Sequence, residues 1–308
     1  MEAMMTVVSK VGVMLVLIVV GYLITKTGML TEKGAAEITS LLIKIVTPCL
    51  IINSLIGAGR DLALGDLLLA AAVSALSMAI SIVISYAMFR REPPERRKVL
   101  RFSMIFSNAG FMGLPLIQGI VGDKGVVYGS FFVVVFNLIC WTYGYVMMGG
   151  GRLNLKTAIL NPGIIGLAVG LPIYFSGVTL PAVIREPISF LSGLNTPLAM
   201  LVIGSYVARV DVKSFLTDWN VYKMCFLRLV FCPALYFAVL LLIRPEPDLF
   251  ISSVIQASAP VAANTVLFAV EYHQDSALAS KTVAASTVLS IVTIPIFTIL
   301  AQWACGVL

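Results

Sequence analysis

Between Asn108 and Pro115, inside the apolar run FSNAGFMGLPL (106–116), fall an asparagine, two glycines and a proline. Each weakens or interrupts a helix, and a carboxamide in hydrocarbon is costly unless it finds a partner. A second run, IQASAPVAAN (255–264), carries Gln256, Ser258, Pro260 and Asn264. A helix broken inside a bilayer leaves N–H groups unpaired on one side and C=O groups unpaired on the other. Such a break survives only against protein or a water-filled cavity. The second half-helix then presents the positive end of its dipole at the break. Two breaks facing each other, with amide donors from Asn108 and Asn264, make a site for a small anion, a carboxylate above all. Gly110 and Gly113 permit close backbone approach there, and Asn137 lies in a neighbouring apolar segment, FNLICW. The candidate substrate-binding set is therefore Asn108, Gly110, Gly113, Pro115, Asn137, Gln256, Ser258, Pro260 and Asn264.

Two cations also fall within apolar segments: Lys44, four residues before Pro48, and Arg228, five before Pro233. Charges at depth are functional hypotheses by default. Lys44 either snorkels to water or serves the site; Arg228 is expected in a structural pair or in contact with an anion. Acidic residues avoid the segment centres, Glu37, Asp66 and Glu271 being nearest, so a proton-antiporter design lacks its buried carboxylates. With His273 as the single histidine and five cysteines all in apolar segments, no metal site, catalytic triad or disulfide framework is expected. The chain reads as a non-enzyme without a cofactor, coupling to Na⁺ or H⁺ being left open. Asn53, Gln118 and Asn195 read as helix–helix hydrogen-bonding residues. MMGGGR (147–152) lacks phosphate-loop spacing and reads as a span end.

The elements that must hold these residues follow from composition. Of 308 residues 59% are hydrophobic and 12% charged, and mean hydropathy is +1.01; a soluble domain carries roughly a quarter charged residues. The class is an all-α polytopic membrane protein. Ten spans are expected, at about 6–25, 34–56, 65–89, 99–121, 125–149, 157–177, 187–208, 220–243, 248–271 and 276–304. Fourteen Lys and Arg lie in or beside the loops after odd-numbered spans against four after even ones. The positive-inside bias thus places the odd loops in the cytoplasm and both termini outside. RREPPERRK (90–98) is the strongest such marker, a topology anchor or a lipid-headgroup or regulatory site. The net charge of +6 is loop asymmetry and implies a lipid bilayer, not nucleic acid.

The chain also repeats. Thr-Pro pairs in VTPCL and NTPLA place Pro48 and Pro197 149 residues apart (197 − 48), and that offset carries Asn108–Pro115 onto ASAPVAAN (257–264). Halves of 1–150 and 151–308, five spans each, are inverted relative to one another because five is odd. Broken spans at matching places mark an inverted-repeat transporter.

SNAGFMGLPL, FNLICWTYG and IQASAPVAANTVLFAVEY resemble the auxin efflux carrier family, within the bile/arsenite/riboflavin transporter superfamily. GYLITKTGML through IVTPCLIINSL, NTPLAMLVIGSYVA, and Arg228 with Pro233 resemble it too. The resemblance covers essentially the whole chain. It implies ten helices in two inverted five-helix repeats, broken crossing helices 4 and 9, and a transport body moving against a scaffold like an elevator. By position, Asn108 and Pro115 match the family's helix-4 residues, Pro260 its helix-9 proline, and Asn137 a polar helix-5 residue facing the site. The long central loop of the plant exporters is reduced here to GGGRLNLK, and their acidic helix-3 residue has no counterpart beyond Asp66. The expected function is secondary transport of a small organic anion across the cell membrane, with homodimers known among relatives. A sodium-coupled symporter of the bile-acid carrier type is the alternative; a sensor or channel is a weaker rival.

Overall fold

The computed structural model describes residues 2–57, 62–149, 160, 162–209 and 218–307. The boundary expected near 150 and the basic residues Arg60, Arg152, Lys156 and Lys213 lie outside the described residues. Regular structure among the described residues is helical. In chain order the helices are α1 (Glu2–Lys26), α2 (Glu32–Gly57), α3 (Leu64–Met88), α4 (Pro94–Ile105), α5 (Ala109–Ile120), α6 (Asp123–Met148), α7 (Pro162–Ser176), α8 (Ala182–Ala208), α9 (Trp219–Ile243), α10 (Pro247–Ser258), α11 (Asn264–Glu271) and α12 (Ser276–Ala304). Six of them, α2, α3, α6, α8, α9 and α12, are long and apolar enough to cross a membrane. Shorter apolar stretches are Gly12–Lys26 of α1, α5 and α7. Fewer full-length helices appear among the described residues than the ten expected spans because two of those stretches are divided into half-helices, α4 with α5 and α10 with α11, and two more, α1 and α7, are described only as shorter apolar stretches.

Local chemistry accounts for where the helices begin. The Thr31 hydroxyl accepts from Gly34 N at 3.1 Å, Asp218 from Asn220 N at 3.0 Å and Asp275 from Leu278 N at 2.9 Å, each occupying an orphan donor of a first turn. Pro94 and Pro247 open α4 and α10 where a missing N–H is harmless. Gly122, at φ +85° just before α6, holds a conformation that side chains disfavour. Within the helices, wide π turns at Leu42–Val46, Ala109–Gly113 and Leu227–Phe231 each end two residues before a proline: Pro48, Pro115 and Pro233. A proline lacks the N–H that the carbonyl one turn earlier would receive, and the wide turn re-registers the ladder ahead of it.

Small residues set the closest packing. Gly204 of α8 lies on the α1 backbone, where an added methyl would sit 2.7 Å from Tyr22 N and collide with the Ile18 carbonyl. Gly21 meets the Leu201 backbone from the other side. A similar pair joins α7 to α2, where Gly166 faces Pro48 and Gly170 faces Ile52 and Leu55. Without water to drive helices together in lipid, such backbone proximity supplies van der Waals contact instead.

At the arginine-rich end, Arg96 of α4 reaches Asp218 at 2.7 Å and Asp275 at 3.4 Å, the caps of α9 and α12. Burial alone would raise the Asp218 carboxyl, but hydrogen bonds from Arg96 and the Asn220 N–H outweigh it and hold the group below its ordinary value. A depressed carboxyl contributes stability above its unfolded-state pKa and loses it as pH falls through the folded value. The thermal midpoint is therefore expected to drop below about pH 4. Part of that drop should vanish in Asp218→Asn; an unchanged acid limb would refute the linkage.

Candidate functional site

Both interruptions fall in the segments that broke helical pattern in the sequence. At the first, α4 ends at Phe106, whose φ −97° and ψ 110° are extended, and the chain turns through Ser107 and Asn108 before α5 starts. At the second, α10 ends at Ala259 (φ −62°, ψ 148°) and α11 starts at Asn264. The two interruptions lie against each other. Asn108 N donates to the Pro260 carbonyl at 2.7 Å, and Ala262 N to the Phe106 carbonyl at 2.9 Å, flanking an antiparallel bridge between Ser107 and Val261. The intervening Val261 N–H donates to the Ser286 hydroxyl of α12 at 3.1 Å. Two backbone hydrogen bonds thus tie the breaks directly to each other.

Arg228 completes this on the carbonyl side. Among the described residues it is the one charged side chain that is fully buried, at 3% exposure. Its Nε donates to the Ala259 carbonyl at 3.2 Å, one terminal nitrogen to Met104 at 3.1 Å and the other to Ala257 at 3.0 Å. These carbonyls end α4 and α10, so one guanidinium clasps the negative ends of two helix dipoles. The structure thus places Arg228 against backbone, neither in an ion pair nor free to meet a ligand.

The amide side is left open. No acceptor among the described residues takes the N–H groups of Ala109, Gly110 and Phe111 at the start of α5, or those of Ala263 and Asn264 at the start of α11. The Asn108 carboxamide makes no hydrogen bond to cap its own helix. The two glycines of this break differ. A methyl on Gly110 would meet open space, whereas one on Gly113 would strike the Gln256 carboxamide, 2.9 Å from its Cδ. Gly113→Ala is accordingly expected to lower stability by about 1 kcal/mol, the low end for overpacking because the Gln256 side chain can swing aside, while Gly110→Ala folds like the wild type. Parallel thermal unfolding of the two variants in detergent checks this, and equal midpoints would contradict the packing.

The remaining expected residues divide clearly. Asn137 is buried on α6 and ties its Nδ2 to Val133 O at 2.8 Å, leaving its oxygen without a described partner. Asn264, at the start of α11, lies beside the Cys140 thiol, one turn along α6 from Asn137, so α6 brings these two amides to the breaks. Gln256 donates to Gly129 O at 3.3 Å, and its buried oxygen has no partner. Ser258 folds back onto Ile255 O at 3.1 Å. Pro260 contributes its carbonyl, and Pro115 lies buried in the first α-helical turn of α5. Lys44 is exposed on α2 and has no charged or hydrogen-bonding partner among the described residues, so it is not brought to the breaks. Ser286 and Cys140 escaped the sequence reading. For Ser286 a signal was available, since the 149-residue offset carries Asn137 onto position 286. Asn108 and Asn137, 8% and 7% exposed, lie in a closed arrangement.

Comparison with known proteins supplies the family. A family model described as membrane transport protein matches residues 6–156 and again 151–298. An "Uncharacterized transporter" of Methanothermobacter thermautotrophicus is 27% identical over 292 residues, covering 92% of this chain and 95% of that protein. One from Methanocaldococcus jannaschii is 24% identical over 297 residues, 92% of this chain and 96% of its own. A Schizosaccharomyces pombe transporter is 26% identical over 147 residues, 41% of this chain and 32% of its own. This multi-pass chain, with its paired helix breaks, belongs to the membrane transport protein family, the auxin efflux carriers that its motifs resemble.

Proposed function

We propose that the protein is a secondary carrier for small organic anions, carboxylates above all, which bind at the paired helix breaks and cross by alternating access. The observation that carries this reading is the asymmetry of the breaks. Arg228 neutralises the carbonyl ends, while the N–H ends of α5 and α11 stay unclaimed beside the open space at Gly110. The field left over is positive, and its donors suit carboxylate oxygens. Asn108, Asn137 and Asn264 orient the anion. Since the asparagines are closed off here, binding requires the site to open toward one side of the membrane.

Packing symmetry supports two inverted five-span repeats. Gly21 rests on Leu201, and Gly170 rests on Ile52; adding 149 to 21 gives 170, and subtracting 149 from 201 gives 52. The first and second spans of each half therefore exchange equivalent contacts, in agreement with halves meeting near residue 150. In this reading α1, α2, α7 and α8 form a frame, and the other helices carry the breaks as a moving body. An apolar crevice between them, lined by Met14, Met112 and Met200, offers side chains that adapt as packing changes. Basic loops place both termini outside the cell membrane.

Thermal unfolding in detergent against a panel of mono- and dicarboxylates, with and without Na⁺, tests the reading. A ligand of the folded state stabilises it by roughly 2.7 kcal/mol at 100 times its dissociation constant. Stabilisation of the wild type by a carboxylate, and its loss in a folded Asn108→Ala, is the expected result. Equal responses from both, or none from any acid, would remove the anion site.

A further inference from the structure

The first two turns of α4, well before its break, hold three cations that the transport reading does not use. Arg97, Lys98 and Arg101 line a pocket of about 550 Å³ with Tyr86 from α3 and Tyr143 and Val146 from α6. All three are half-buried, yet none has a carboxylate within 4 Å among the described residues. Cations in this state normally have a counterion, as Arg96 on the same helix does. The guanidinium of Arg101 is fixed in place, its Cζ 3.9 Å from the centre of the Tyr86 ring. Its Nε is shut away from solvent and unpaired, as is the Tyr143 hydroxyl, which approaches Tyr86 without a hydrogen bond of normal geometry. The pocket thus combines three positive charges with two buried donors that lack acceptors. An anion with several oxygens on one centre answers the unmatched charge, and the terminal nitrogens of arginine's fork match it.

The flank of the pocket points to where that anion comes from. Tyr86 and Val146 are 44% and 47% exposed, and Val83, one turn before Tyr86 on α3, is 70% exposed. On helices that cross a membrane, exposed apolar residues of this kind face lipid tails. We propose that this pocket binds the phosphate of an anionic phospholipid, with an acyl chain lying along α3 and α6. The ligand ties the ends of three helices together and makes RREPPERRK more than a topology signal.

Native mass spectrometry and thermal unfolding of the purified protein test this, with phosphatidylglycerol, phosphatidylcholine and inorganic phosphate supplied separately. The wild type is expected to retain phosphatidylglycerol and to be stabilised by it, with no response to phosphatidylcholine. Each cation removed should weaken binding roughly fivefold, so Arg97→Gln with Arg101→Gln should weaken it roughly 25-fold. Arg185→Gln, on α8 and outside the pocket, should bind as the wild type does. Arg101→Lys keeps the charge but loses the fork, and should fall between; it decides the matter if the double variant fails to fold. Equal retention of phosphatidylcholine overturns the proposal, as does unchanged phosphatidylglycerol binding in a folded pocket variant. Protection by inorganic phosphate equal to that by phosphatidylglycerol would make the ligand a soluble anion and overturn the lipid assignment.

Discussion

Arg228→Met is expected to cost about 3 kcal/mol or more of stability, because three buried carbonyls on two half-helices lose their donor together. Methionine fills much of the volume, so the loss reports polar groups left without partners instead of a void. Arg228→Lys should fall between: a single ammonium keeps the charge at the carbonyl ends but cannot span all three acceptors. Unfolding by heat or by SDS in detergent gives the ranking, wild type above Lys above Met. If the proposed anion site is there, carboxylate binding should weaken in the same order, since the uncovered carbonyl ends would add a negative field beside it. A methionine variant as stable as the wild type would mean that water or a shifted backbone already serves those carbonyls.

The second large effect is expected at the contact of α1 with α8. Gly204→Val places its side chain against the Ile18 carbonyl and 2.7 Å or less from Tyr22 N, where backbone, not a flexible side chain, must give way. Overpacking of this kind costs about 1–3 kcal/mol and more where nothing can move aside. Gly21→Val meets the Leu201 backbone in the same seam, so the two changes should be strongly non-additive: the helices need separate only once. Gly12→Val, on α1 with nothing within 4 Å of the new carbon, is the control and should fold normally. Additive losses, or a Gly12→Val as damaging as Gly204→Val, would show that the frame is not held by this approach.

How much of this could be read from the chain alone depends on the range of the physics involved. The breaks were legible because the chemistry of Gly110, Gly113, Pro115 and Pro260 acts on its own few residues, and a repeat offset found the second break from the first. Arg228 was visible as a charge at depth, but its three acceptors lie 124, 31 and 29 positions away, and nothing local names them. Gly110 and Gly113 look alike in sequence; only the position of Gln256 separates an open glycine from a filled one. Lys44 shows the converse: depth in a segment suggested a role, while the face of α2 that it occupies leads outward. The pocket at Arg101 was half legible, its charge evident and its two tyrosines supplied by helices that only packing brings near.

The bridge between Ser107 and Val261 has a consequence for insulation. A carrier that breaks two helices at membrane depth risks leaving a file of water along the exposed backbone, and with it a leak of protons and ions. Here the strand-like pairing of Asn108 with Pro260 and of Ala262 with Phe106 leaves those groups unavailable to water, and the guanidinium occupies the carbonyls beside them. A cation approaching through the break finds a fixed positive charge, and the backbone oxygens that would replace its hydration shell are already taken. Membranes carrying this protein should therefore remain electrically tight while the carrier stands idle.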